Sequence, residues 1–149
     1  MHRINLSWKL LVVVVIFALA GFFSEAGAFQ IQTSDENAVR VDVKPIQLTP
    51  GKPAIFEIRL NTHSVELSYD MVRLSSLQDS QGKVYKAMNW KGSSPGGHHR
   101  RGVLEFPELQ GNPQSIQIIM QNISGVPQRI FEWKLREKGE AERKISKEV

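Results

Sequence analysis

Apolar and polar residues alternate one by one along most of this chain. Successive side chains of a β-strand point to opposite sides of its sheet, so a period of two indicates strands with one buried face. The alternation extends from 38 to 136 and is clearest at 39–43, 56–60, 116–120 and 131–135. No window carries the apolar stripe of an amphipathic helix, so the pattern predicts an all-β domain.

Segments rich in Gly or Pro separate these runs, as expected for turns between strands. They lie at 49–53, 79–82, 93–97, 110–113 and 125–127. Frequent turns and about seven strands favour an immunoglobulin-like two-sheet antiparallel sandwich, and an open barrel is the main alternative. The predicted core contains Phe56, Ile58, Trp90, Leu104, Phe106, Ile118, Phe131 and Trp133.

Two segments fit the alternation less well, and we predict one strand in each. Residues 69–77 are apolar enough for a strand without alternating cleanly. Residues 83–90 place Val84, Met88 and Trp90 on a single face, which predicts that these three side chains are buried together.

The start of the chain has the pattern of a secretory signal peptide. Basic residues precede an apolar run at 10–23, and small residues follow at 26 and 28. A membrane-spanning helix needs about 20 apolar residues, so this run is short for the alternative, an uncleaved anchor. We expect cleavage after Ala28 and a secreted or periplasmic protein with no transmembrane span after signal removal.

The remaining chain divides into three parts. We expect a loose lead-in at 29–37, the sandwich domain at 38–136 and a charged, solvated tail at 137–149. The chain has no cysteine, so neither a disulfide nor a thiolate ligand is available. Its formal charge of +4 is mild and its basic residues are mostly dispersed, so nucleic acid is not an expected partner.

Three histidines in the domain suggest a metal site. His63, His98 and His99 lie in the two segments that look least like ordinary turns. Imidazole is a common ligand for copper and zinc, and Asp70 or Glu66 could complete such a site. One hypothesis is therefore a periplasmic copper- or zinc-binding protein. The opposing interpretation is that these histidines only serve loop structure.

The same region suggests recognition without chemistry. The segment 91–102 is longer than a usual hairpin connection, and Trp90, Arg100 and Arg101 are residue types common at binding sites. The preferred hypothesis is a non-enzymatic, structural or partner-binding module that contacts an unknown protein or envelope component through this loop. No certain cofactor and no catalytic residue follow from the sequence, which lacks the serine-hydrolase and zinc-protease motifs.

A set of sequence motifs between residues 62 and 106 resembles that of a known family. It reads T-H-S-x-x-L at 62–67, W-x-G at 90–92 and G-G-H-H-R-x-G-x-L-x-F at 96–106, with Asp70 and S-x-L-x-D at 75–79 between them. At these positions the chain resembles a family of uncharacterised bacterial exported domains. The resemblance implies export and a β-sandwich, and it implies no activity. A looser likeness to small periplasmic copper-carrying sandwiches lacks their N-terminal histidine and methionine-rich segments.

Overall fold

The computed structural model describes residues 29–49 and 51–135. The strands and the single short helix of this part are β1 (Gln32–Glu36), β2 (Val39–Gln47), β3 (Pro53–Thr62), α1 (Met71–Leu74), β4 (Ser75–Asp79), β5 (Val84–Lys86), β6 (Asn89–Gly92), β7 (His99–Glu108), β8 (Ser115–Ile123) and β9 (Val126–Lys134).

The strands form two antiparallel sheets that pack face to face. One sheet has five strands in the order β1-β2-β3-β7-β6, and the other has four in the order β5-β4-β8-β9. Strands β2, β3, β7 and β6 match the ABED sheet of an immunoglobulin constant-type sandwich, and β4, β8 and β9 match its CFG sheet. Each sheet gains one edge strand, β1 or β5. The predicted all-β sandwich is therefore confirmed, with nine strands in the described residues rather than about seven.

The inward faces of both sheets supply the core. Of the eight predicted core residues, seven are buried and Trp90 is half-buried. Phe56 packs edge-to-face on Phe106, with ring centroids 5.8 Å apart, and contacts Trp133 at 5.6 Å. These contacts join β3 and β7 of one sheet to β9 of the other, so large aromatic side chains hold the two sheets together.

The segment 83–90 does not form the single predicted strand. Strands β5 and β6 belong to different sheets, and the chain crosses between them at 87–88. The crossing reverses the expected orientation: Val84 and Met88 are exposed, whereas Tyr85 and Ala87 are buried. A period-two pattern assumes one continuous strand, so it fails where the chain changes sheets.

The segment 69–77 is also only partly a strand. Asp70 caps the one-turn helix α1, where its Oδ1 accepts hydrogen bonds from the backbone N–H groups of Val72 and Arg73, both at 3.1 Å. An Asp side chain satisfies unpaired amides at a helix start in this way. Strand β4 begins only after this turn, at Ser75.

The expected loose lead-in at 29–37 contains strand β1. The side-chain amide of Gln32 hydrogen bonds to both the backbone N–H and the carbonyl of Glu132 on β9. Buried Arg129 on β9 donates to the carbonyls of Ser34 and Glu36 at 3.2 and 2.8 Å. These bonds cover the free edge of β9, and an uncovered edge would be a site for unwanted strand pairing.

The predicted signal peptide at 1–28 and the charged tail at 137–149 lie outside the described residues. Within the residues that are described, no helix is long and apolar enough to cross a membrane.

Candidate functional site

The two segments that carry the histidines meet at one end of the sandwich. We name this region the histidine end and define it as residues 61–67 and 93–99. The N–H of Thr62 donates to the carbonyl of His98 at 3.0 Å, and Leu67 exchanges backbone hydrogen bonds with Gly97 and Gly96, each 2.9 Å long. These three bonds fasten the loop after β3 to the loop before β7.

Glycine allows this pairing between two loops. Gly96 and Gly97 have φ values of +115° and +70°, which are conformations that residues with a Cβ rarely adopt. With these angles the chain turns back within the loop, so that the amide of Gly96 and the carbonyl of Gly97 both face Leu67. The Gly-Gly pair of the sequence block therefore has a structural role.

Arg100 is the anchor of the histidine end. The sequence suggested a partner-binding residue, but its side chain is buried, with 3% of the residue exposed. Its guanidinium donates to the carbonyls of Leu67 (3.0 Å), Tyr69 (2.6 Å) and Ser93 (3.3 Å). Burial lowers the pKa of Arg100, and the charge of Asp70 partly offsets this effect. Arg100 therefore ties both loops together and is not available to a partner.

Trp90 packs against Arg100 and completes the anchor. The Arg100 guanidinium lies over the indole ring, 5.5 Å from its centroid, and the indole N–H donates to the carbonyl of Ser93 at 3.0 Å. A Cβ on Gly102 would lie 2.5 Å from this ring, so the ring position requires glycine there. Trp90 was suggested both as a core residue and as a binding residue, and it is half-buried within this stack.

The proposed metal ligands do not assemble. His63, His98 and His99 are all exposed, and Nδ1 of His99 donates to the side-chain oxygen of Asn61 at 3.0 Å. Asp70 has its Oδ1 engaged as the cap of α1. Across the described ranges, no group of three or more His, Cys, Asp or Glu residues could hold a metal ion. The histidine loops share one end of the domain, as the hypothesis requires, but their side chains do not converge with Asp70.

Arg101 differs from its neighbour because it lies on the outer face of the five-stranded sheet. Its side chain is 66% exposed and pairs with Glu57 at 3.0 Å, and Arg59 pairs with the same carboxylate at 2.6 Å. Burial raises the pKa of Glu57, but the hydrogen bonds and charges of Arg59 and Arg101 outweigh this effect and keep the pKa below its usual range. Of the two adjacent arginines, only Arg101 can contact a partner.

A shallow groove of about 290 Å³ extends the histidine end toward the β1–β2 turn. His63 forms part of its wall. Its lining residues are Asp35, Ala38, Arg40, Asn61, Thr62, His63 and Ser64. The groove carries both signs of charge, from Asp35 and Arg40, and it offers hydrogen-bonding side chains beside exposed apolar surface.

Several residues with structural roles were missed, although the period of two contains the signal for them. Arg100 shares its inward phase with Gly102, Leu104 and Phe106, and Arg129 shares its phase with Phe131. A basic residue in the buried phase of a strand predicts a buried cation that needs carbonyl partners. Arg129 has such partners on Ser34, Glu36 and Val39, as Arg100 has within the histidine end.

Other residues of the motifs that carry the resemblance also have structural roles. Thr62 accepts from the amides of Ser64 and Val65 and donates to the carbonyl of Ala38. Asp79 accepts from two turn amides and from the hydroxyl of Tyr85. These motif residues therefore stabilise loops and turns through side-chain hydrogen bonds. No protein-family model matches the chain, and neither a curated protein nor a solved structure matches it significantly.

Proposed function

We propose that this chain is an exported, non-enzymatic binding module that contacts a protein or another envelope component through the histidine end. Export rests on the signal-like start of the sequence, with a secreted or periplasmic location for the mature chain. The binding role rests on the geometry of the exposed loop.

The observation that carries the proposal is an exposed loop with a rigid base. Ser94, Pro95 and His98 are exposed, whereas the residues on both sides of them are held by Arg100, Trp90 and the bonds to Leu67. Ordering a loop costs conformational entropy, and a loop that is ordered before binding loses less on association. A rigid exposed loop is therefore suited to recognition.

The polar side chains at the base of the loop have structural roles. Three of these side chains are engaged with backbone groups: Arg100 with three carbonyls, Asp70 with two amides and Thr62 with loop amides. The exposed side chains left for contact are His63 and His98 at the rim of the loop, and Arg101 on the adjoining outer face of the five-stranded sheet.

Site-specific photo-crosslinking in intact cells tests this proposal. A photo-reactive amino acid at position 98 should capture one dominant partner, and the same probe at position 52, in the turn at the opposite end of the sandwich, should not. The purified partner should then bind wild type and the Lys52→Ala control equally. The His63→Ala/His98→Ala/Arg101→Ala variant should lose most of this binding while its circular dichroism stays unchanged. Equal binding by the triple variant would exclude the histidine end.

A further inference from the structure

The outer faces of the two sheets differ sharply in charge. On the five-stranded sheet every strand has at least one charged side chain on the outer face. Three ion pairs lie there: Arg40–Asp42, Arg59–Glu57 and Lys91–Glu105. On the four-stranded sheet the two central strands, β4 and β8, have no charged outward residue. Their outward side chains are Ser76, Gln78, Ser115, Gln117, Ile119 and Gln121.

Apolar side chains are also exposed on this face of the four-stranded sheet. Ile130 on β9 is 53% exposed and Val84 on β5 is 58% exposed. Ile119 is half-buried and stands directly opposite Ile130 in the β8–β9 register. Centres of protein interfaces are depleted of charge and surrounded by a polar rim, and the four-stranded sheet has this distribution.

The charges on this face lie only on its two edge strands. Lys86 is on β5 at one edge, and Glu132 and Lys134 are on β9 at the other. None of these three side chains has an ion pair within the described part of the chain. Lys86 and Glu132 have opposite signs and lie in neighbouring outward rows, whereas Lys134 lies one row further from Lys86, so the Lys86–Glu132 combination makes the face complementary to a copy of itself.

We propose that the outer face of the four-stranded sheet is the interface of a homodimer. A two-fold axis parallel to the strands, passing between β4 and β8, lays β5 of one copy over β9 of the other. Lys86 lies in the same cross-strand row as Ile130, and Glu132 lies in the next outward row. Under this rotation Lys86 faces the partner's Ile130 and lies one row, about 6.6 Å, from the partner's Glu132.

The size of the face sets the strength of this dimer. At about 3.3 Å per residue and 4.8 Å between strands, the four strands present roughly 400 Å² per copy. Stable complexes bury about 1,200–2,000 Å² in total, and twice this face is below that range. The dimer is therefore weak and concentration-dependent. It uses a surface separate from the histidine end, so it does not rest on the proposed function.

Sedimentation velocity of the exported chain over a concentration series from about 1 to 500 μM tests the dimer. Wild type should shift from monomer to dimer within this range. Lys86→Glu and Glu132→Lys should each weaken the dimer by about tenfold, because each change affects two symmetric ion pairs. The double variant should restore it. Lys44→Glu, the same charge change on the outer face of the other sheet, is the matched control and should have no effect.

Circular dichroism of every variant verifies that folding is unchanged. An Ile130→Lys variant gives a second, independent disruption of the apolar centre. A wild-type chain that stays monomeric at every concentration overturns the proposal. So does a double variant that remains as weak as the single ones, or a Lys44→Glu variant that weakens the dimer equally.

Discussion

Replacement of Arg100 by methionine should destabilise the domain far more than replacement of the adjacent Arg101 by alanine. Methionine keeps most of the apolar volume of the side chain and removes the guanidinium, whose three hydrogen bonds to carbonyls hold both loops of the histidine end. The residue is buried, so water cannot readily replace the lost donors.

The magnitude follows from counting the groups involved. Three hydrogen bonds at about 1–1.5 kcal/mol net each amount to a loss of about 3–4.5 kcal/mol. The buried Nε of Arg100 has no acceptor, and removing this unsatisfied donor returns about 1 kcal/mol. The expected cost is therefore about 2–3.5 kcal/mol, from a total stability of about 5–15 kcal/mol for a domain of this kind.

Arg101 provides the matched control one residue away. Its side chain is 66% exposed and its ion pair with Glu57 is on the surface, where such pairs contribute about 0–1 kcal/mol. Urea unfolding followed by circular dichroism measures both variants without relying on Trp90 fluorescence. The midpoint of Arg100→Met should fall by about 1–2 M. Similar small losses in the two variants would refute the assignment of Arg100 as an anchor.

Three further predictions use the same unfolding and titration assays. Gly102→Ala places a methyl group 2.5 Å from the Trp90 ring, and we expect a loss of about 1–3 kcal/mol with altered indole fluorescence; a loss no larger than that of Arg101→Ala would contradict this. Zinc and copper titrations of wild type and of the triple alanine variant of the mature histidines should coincide, since no described ligand group assembles, and micromolar binding lost only in the variant would revive the metal site. Because the pKa of Glu57 is lowered in the folded state, its carboxylate stabilises the fold above the usual carboxylate pKa, and this stability is lost as the pH falls through the folded pKa. Wild type should therefore lose more unfolding free energy than Glu57→Gln between about pH 5 and 3, by up to about 1 kcal/mol. Identical pH slopes in both proteins would refute this role of Glu57.

Local alternation was a reliable guide wherever a strand stays within one sheet. Val39, Val41 and Val43 on β2 are fully buried, as the pattern predicts, because each lies on the same face of one continuous strand. The same rule failed at Val84 and Met88, because the chain leaves the four-stranded sheet after β5 and enters the five-stranded sheet at β6. Periodicity describes one strand, and it contains no information about which sheet the next strand joins.

For the candidate site, too, the sequence indicated some features and the structure was needed for others. The sequence indicated that the two histidine segments are unusual, and the structure brings them to the same end of the domain through Thr62 and His98. The sequence did not indicate that Asp70 caps a helical turn. Alternation along β7 places Arg100 inward and Arg101 outward, but it does not reveal the carbonyl acceptors that make the burial of Arg100 possible. The burial of Arg100 depends on the carbonyl groups of Leu67 and Tyr69, which are distant in sequence, whereas the Asp70 cap uses amides two and three residues away.

The sequence by itself determined the class of fold, most of the core and the position of most turns, because alternation, large apolar side chains and Gly or Pro act over a few residues. Only the tertiary structure decided the strand order, the burial of Arg100 and Arg129, and the contrast between a charged outer face and an uncharged one. Each of these depends on which strands become neighbours. The burial of an arginine, for example, is tolerated only where folding supplies carbonyl acceptors around its guanidinium.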